Sequence, residues 1–342
     1  MADLKSVESR LNASDTALKD LLDKHYELRN SEFELSLDKP DPLFAVKENL
    51  SQKNIDEIAV VCALLAYGNA GQILKTLRKL DFSILGDRDA IQRTNFPLYR
   101  FQTSEDIKNL FLALSEIIAN GGIRRVFVES YKAQKERNMQ NLGESSGDSA
   151  NLKCDSHESK RESRESLRKS DSANLKCESP TICGINAMID ALFGALQKNG
   201  ISNPTQGLRF LIGQKATNPR TSSPLKRWNL FLRWVVRKDK IDLGLWGDSV
   251  QDSSDSKLDS GESKPNSSES KHDSQYFVDE ADLILPLDTH TFRLSKKLNL
   301  LQGKTYNLHS AMEITKNLSH FCASDPVKYD FAIYRLGQER VL

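Results

Sequence analysis

Leu285-Pro286-Leu287-Asp288-Thr289-His290-Thr291-Phe292-Arg293-Leu294 reads as an apolar approach, a proline that stops it, and an aspartate at the mouth of a helix. Leu294 and Leu298 fall four apart, one helical turn, so the segment after Asp288 buries one face. The first turn of that helix holds a carboxylate, two hydroxyls and an imidazole, where backbone N–H groups lack partners. Aspartate is a favoured N-cap, and Asp288 fits that role. A carboxylate at a helix end also faces whatever approaches that end, so the same residue is a candidate for chemistry.

Working outward, the apolar residues recur at helical spacing. Leu18, Leu21, Leu22 and Tyr26 line one side of Ala17–Arg29, and a Pro- and Asp-bearing loop follows at 37–42. Ile58, Val61, Cys62, Leu65 and Ala66 mark a buried helix within Ile55–Leu80. Tyr67-Gly68-Asn69 interrupts it before Ala70–Leu80 resumes. Further helices are predicted from Ser104 to Asn120, stopping at Gly121-Gly122, and from Ile123 to about Lys135. Asn186–Lys198 is another, with Gly200 as its C′ residue. Leu308–Phe321 and Pro326–Leu336 close the chain. Ser223-Pro224 offers an N-cap and a first-position proline for a helix running from Leu225 to about Arg237. No segment alternates with period two, so the fold class is all-α.

Two stretches break the pattern. Residues 144–179 are dominated by serine and charge, and Asp148–Cys154 recurs as Asp171–Cys177 with a period of 23 residues. Residues 247–275 are similar in composition. Both read as disordered insertions, because they bury too little apolar surface to offset the entropy of ordering. The expected organisation is a frayed 1–15, helical parts at 16–143, 180–246 and 276–342, and the insertions at 144–179 and 247–275.

The hydrophobic fraction is 38%, and the deficit lies mainly in the insertions. The formal net charge of +1 is similarly misleading. The first insertion carries seven Lys/Arg and eight Asp/Glu, the second three Lys and seven acids, which leaves +6 on the remainder. A modestly basic folded part is compatible with a polyanionic partner. The N-terminus lacks a basic segment followed by an apolar run, and no apolar run is long enough to cross a bilayer, so a cytoplasmic, membrane-free monomer is expected. Five cysteines, with no Cys-x-x-Cys pair, argue against a disulfide framework and against a zinc or iron–sulfur site. No metal and no cofactor is expected.

Between Leu225 and Lys240 stand Lys226, Arg227, Arg233, Arg237, Lys238 and Lys240 against Asp239 alone. Trp228, Trp234 and Trp246, all the tryptophans of the chain, lie in this neighbourhood. Basic residues interleaved with aromatics suit phosphate contact and base stacking. The same spacing also describes an amphipathic helix with core tryptophans and snorkelling cations. Lys226 falls in the first turn, where the helix dipole disfavours a cation, a setting that suits a nucleophilic amine as well as a solvated side chain. Lys226 and Asp288 are 62 positions apart, and about 33 once the 29-residue second insertion is set aside. That separation lets two helix mouths face one cleft.

These residues carry a resemblance. Pro286–Leu294 is similar to the VDTHVxR segment of the helix–hairpin–helix DNA glycosylase superfamily, the endonuclease-III-like fold. Ala63–Asn69 is similar to that superfamily's LLSAQ region. The glycine-rich hairpin LPGVGxKTA is absent: Leu211–Ala216 is a poor copy, and Ser222–Arg227 resembles the glycine-poor form of archaeal oxoguanine glycosylases. The chain as a whole resembles still more closely a conserved bacterial family of unassigned function. The marks of that family are Ala63–Asn69, Tyr99-Arg100-Phe101, Lys226–Trp234, Asp242–Trp246, Pro286–His290 and Asp325–Phe331.

The superfamily resemblance implies a helix–hairpin–helix glycosylase-like fold and base excision from damaged DNA, with RNA as an alternative polymer. Lys226 would attack C1′ and Asp288 would stabilise the developing positive charge. Tyr67, Trp228 and Trp234 would stack on bases, and Arg227, Arg233 and Arg237 would hold phosphates. Asn69 and His290 complete the substrate-binding candidates. Two rivals stand beside this reading: a nucleic-acid-binding module without catalysis, and an enzyme on another substrate, including a metal site through Asp288 and His290 that lacks a third ligand. Asp242, Asp325 and Asp330 read as caps or surface acids, with Asp325-Pro326 opening a helix.

Overall fold

The computed structural model describes residues 15–35, 40–145, 179–247 and 277–338. The N-terminal stretch, most of both expected insertions, and Cys154 and Cys177 lie outside the described residues. The chain is all-α: among the described residues there is no strand, only isolated bridges at Tyr99–Gln102 and Lys238–Leu243. The helices in order are α1 (Asp15–Arg29), α2 (Leu43–Lys47), α3 (Ile55–Leu64), α4 (Ala70–Leu77), α5 (Arg88–Arg93), α6 (Ser104–Ala119) and α7 (Gly122–Ser145). They continue as α8 (Pro180–Lys198), α9 (Gln206–Ile212), α10 (Lys226–Val236), α11 (Thr289–Lys297), α12 (Leu308–Ser319) and α13 (Asp330–Gln338).

α3 is the centre. Every residue from Glu57 to Leu64 is buried, as expected of a helix that is apolar all round. α2 and α10 pack against it, and α7 contributes from another side. α8 lies against α6 and α7, and α11 pairs with α13, which also meets α1. α3 ends where the chain turns through Tyr67-Gly68-Asn69. Gly68 takes φ +106°, and a Cβ there would stand 2.6 Å from Arg100 Nη1. Asn69 then caps α4 by accepting from Gln72 N. Thr103 and Asp106 form a reciprocal capping box on α6. Gly200 follows α8 at φ +81°, as its expected C′ position requires.

Several boundaries differ from the sequence expectation. α7 extends to Ser145, because Ala, Gln, Lys, Glu and Met sustain a surface helix after the apolar spacing has ended. α8 starts at Pro180, a first-position proline after Ser179. α2, α5 and α9 are short helices with no long periodic run behind them. Pro326–Tyr329 is a 3₁₀ turn leading into α13. Ser223 and Pro224 do not open α10: Leu225 sits between them and the helix in the left-handed region, φ 53° and ψ 32°. A left-handed leucine costs about 1–2 kcal/mol, and burial of its side chain holds it there.

Candidate functional site

Only Lys226, Arg227 and Leu230 of α10 escape burial. Lys226, Leu230 and Arg233 fall at i, i+4 and i+7, on one face of the helix, and all three line a pocket of about 280 Å³. Tyr67, Gly68 and Ile73 supply the wall from the α3–α4 joint, and Pro286, Asp288 and Thr291 supply another. Asp330, Phe331 and Tyr334 of α13 close it.

Lys226 and Asp288 meet in this pocket. Lys226 Nζ lies 3.7 Å from Asp288 Oδ2, with the lysine side chain about one-third exposed and the carboxylate mostly enclosed. Asp288 is the N-cap of α11: its Oδ1 accepts from Thr291 N at 2.7 Å. One oxygen therefore serves the helix and the other faces the lysine. Nearby, Tyr306 donates to Leu287 O at 2.7 Å, and burial together with the Asp288 charge pushes its phenol up to about 12. Two hydroxyls in the pocket wall, Tyr67 Oη and Thr291 Oγ1, are buried without a hydrogen-bond partner. Unpaired buried polar atoms are uncommon, and a ligand or water in the pocket would satisfy them.

The other candidates separate. Trp228 and Trp234 are 2% and 1% exposed, so they are core residues and are not placed to stack on a base. Trp228 donates its ring N–H to Ile212 O at 2.8 Å, which ties α10 to the end of α9. Arg233 and Arg237 are buried in a network and are not available to phosphates: Arg233 pairs with Asp242 and Asp330, and Arg237 with Asp242, Asp239 and Asp325. Burial works against both guanidinium charges, and the surrounding carboxylates outweigh it, raising both above the ordinary arginine value. Asp242 and Asp330 are accordingly interior ion-pair partners and not surface acids. Burial pushes the Asp330 carboxyl up to about 6, with Arg233 opposing it.

Arg227 is half-buried and does not line the pocket. Its guanidinium donates to Leu64 O at 2.7 Å and to Phe210 O, and lies 4.6 Å over the Phe210 ring. Burial pulls it down to about 10. Asn69 is exposed and occupied as a cap. His290 is exposed on α11, against Gly337, and does not line the pocket. Among the described residues, no group of three His, Cys, Asp or Glu side chains is placed to hold a metal ion. No described helix is long and apolar enough to cross a membrane.

The cleft is not basic. Its lining holds Lys226, Arg233 and Arg335 against Asp41, Asp288 and Asp330. A balanced lining of this kind suits one polar group entering the pocket, with any phosphates left outside it. Sequence reasoning missed Thr291, Asp330 and Tyr334 as pocket residues. The spacing of Asp330 and Tyr334, one helical turn apart, was the signal for a shared face, but nothing in the sequence says which face meets Asp288.

Fold and pocket together define an all-helical protein in which a lysine and an aspartate, each at a helix N-terminus, converge on one cavity. The chain belongs to the family described as "Protein of unknown function (DUF2400)", whose pattern matches residues 41–254 and 275–339. The residues passed over, 255–274, fall within the second serine-rich stretch. Neither a curated protein nor a solved structure matches the chain.

Proposed function

We propose that the protein excises a base from DNA by cleaving an N-glycosidic bond, with Lys226 and Asp288 as the reacting pair. The observation that carries this reading is their 3.7 Å approach inside a pocket of about 280 Å³, a volume suited to one nucleobase and its sugar. The resemblance of Pro286–Leu294 and Ser222–Arg227 to glycosylase segments points the same way.

The nucleotide leaves the base stack to enter the pocket. Asp288 Oδ2 accepts a proton from the Lys226 ammonium, and the freed amine attacks C1′ as the bond to the base breaks. The base departs with the bonding electron pair and takes the proton from Asp288 Oδ2, which restores the carboxylate. Asp288 offsets the positive charge that develops on the sugar. The C1′–O4′ bond then breaks as O4′ takes the proton that the attached amine gives up, leaving a protonated Schiff base between Lys226 and C1′; Asp288 removes a C2′ proton, and β-elimination expels the 3′ phosphate.

Borohydride trapping on a panel of damaged duplexes tests the reading. A covalent adduct is expected that Lys226→Ala abolishes. Absence of an adduct on every lesion, with base release still dependent on Asp288, would make water the nucleophile. Nucleic-acid binding with no base release, unchanged in Asp288→Asn, would leave a binding module.

A further inference from the structure

Three elements bring aromatic rings together around Tyr67, a residue of the pocket wall. Tyr99-Arg100-Phe101-Gln102 is a tight turn closed by Gln102 N donating to Tyr99 O at 2.9 Å. Arg100 holds the left-handed φ of 55° at its tip, and Phe101 beside it is 52% exposed. Phe210, from α9, is 43% exposed, and its ring centroid lies 4.7 Å from that of Phe101. Tyr67 touches both rings, at 5.7 Å and 5.0 Å, and continues into the pocket wall. The Tyr99 hydroxyl donates to Tyr67 O and pins the turn to the α3–α4 joint.

An exposed apolar patch of this kind marks an interaction surface. Its charge selects the partner. Arg100 lies over Tyr67 at 5.5 Å, and Arg227 lies over Tyr67 and Phe210. Arg227 is held by the Leu64 and Phe210 carbonyls, and Arg100 is exposed. A second copy docking the same patch about a two-fold axis would set these cations against themselves. A strand of nucleic acid brings a phosphate for the exposed Arg100 and flat base faces for the phenyl rings.

We infer that Phe101 and Phe210 form a stacking platform for unpaired DNA bases beside the nucleotide that enters the pocket. Its place beside a nucleotide pocket rests on the proposed function. The platform itself rests on the exposed rings and their cations. The backbone strain at Arg100 has a purpose in this arrangement, since it turns Phe101 outward next to Phe210.

Fluorescence anisotropy with labelled single-stranded oligothymidylate tests the platform, with heparin as a polyanion that has no bases. The Phe101→Ala/Phe210→Ala variant should bind oligothymidylate about ten-fold or more weakly, the loss expected for removing base–aromatic stacking. Its heparin affinity should not change. The Phe101→Tyr/Phe210→Tyr variant, which keeps both rings, should bind like the wild type, and matching circular dichroism controls for folding. The inference is overturned if the wild type does not bind the oligonucleotide, if the alanine variant binds it equally well, or if heparin binding falls in parallel. It is also overturned if sedimentation shows a wild-type dimer that the alanine variant abolishes while oligonucleotide binding persists. Base release plays no part in this readout. Ring-dependent binding without glycosidic cleavage leaves the platform standing and removes the proposed function. Cleavage that persists while oligonucleotide binding proves indifferent to both rings does the reverse.

Discussion

Asp288 splits its two oxygens between two helices: Oδ1 accepts from Thr291 N at the start of α11, and Oδ2 faces Lys226 Nζ, 3.7 Å away at the start of α10. Capping and chemistry are therefore compatible in one carboxylate. The cap fixes the direction of the side chain, and the free oxygen is presented to the pocket.

The two roles come apart under mutation. Asp288→Asn keeps a capping oxygen and should leave stability within about 0.5 kcal/mol, whereas Asp288→Ala should cost about 1 kcal/mol. Both variants should lose base release. Urea unfolding alongside a base-release assay measures the pair. Retained release in Asp288→Asn would remove the carboxylate from the reaction.

Arg237 should behave as a structural residue. It is 3% exposed and shared by Asp239, Asp242 and Asp325. Arg237→Ala strands buried carboxylates and should cost about 3–5 kcal/mol in equilibrium unfolding. A loss below about 1 kcal/mol, combined with weaker DNA binding, would return it to the phosphate-binding role its sequence position first suggested.

The tryptophans give an optical check on the fold. Trp228, Trp234 and Trp246 are 2%, 1% and 2% exposed. Iodide should barely quench their fluorescence in the native state and should quench it strongly in urea. Native quenching close to the unfolded value would place at least one ring at the surface.

Glu57 sets a pH dependence. It is 4% exposed, and its Oε1 accepts from Ile123 N at 2.8 Å at the start of α7. Burial pushes its carboxyl up from 4.5 to about 7, with the Ile123 bond opposing and Asp56 adding to the rise. The folded state thus holds this proton more tightly than the unfolded chain. Its contribution to stability falls as pH rises from about 4.5 to about 7, and the full penalty applies above that range. Glu57→Gln keeps an acceptor for Ile123 N and should gain roughly 1–3 kcal/mol at pH 8 and little at pH 4. Urea titrations at the two pH values measure the difference, and equal effects at both would show that Glu57 is not protonated on folding.

The longer helices and their order are legible in the sequence, but the short α2, α5 and α9 are not. Apolar spacing marks α3, α6 and α12, and Asp288 and Gly200 are legible because a cap and a left-handed C′ position each demand particular side chains. It also placed Lys226 and Asp288 at comparable helix mouths once the serine-rich stretch was set aside. Periodicity identifies one buried face of a helix, but α10 is buried on nearly every face. Trp228, Trp234, Arg233 and Arg237 therefore looked like a basic aromatic surface until α3 and the acids of 239–242 and 325–330 were packed around them. The exposed rings of Phe101 and Phe210 lie on a short turn and a short helix with no periodic run to single them out. Which cations are neutralised and which rings reach solvent is settled by packing, because both depend on partners distant in the chain. Asp330 is 97 positions from Arg233, and the contact between them exists only after α13 closes over the pocket.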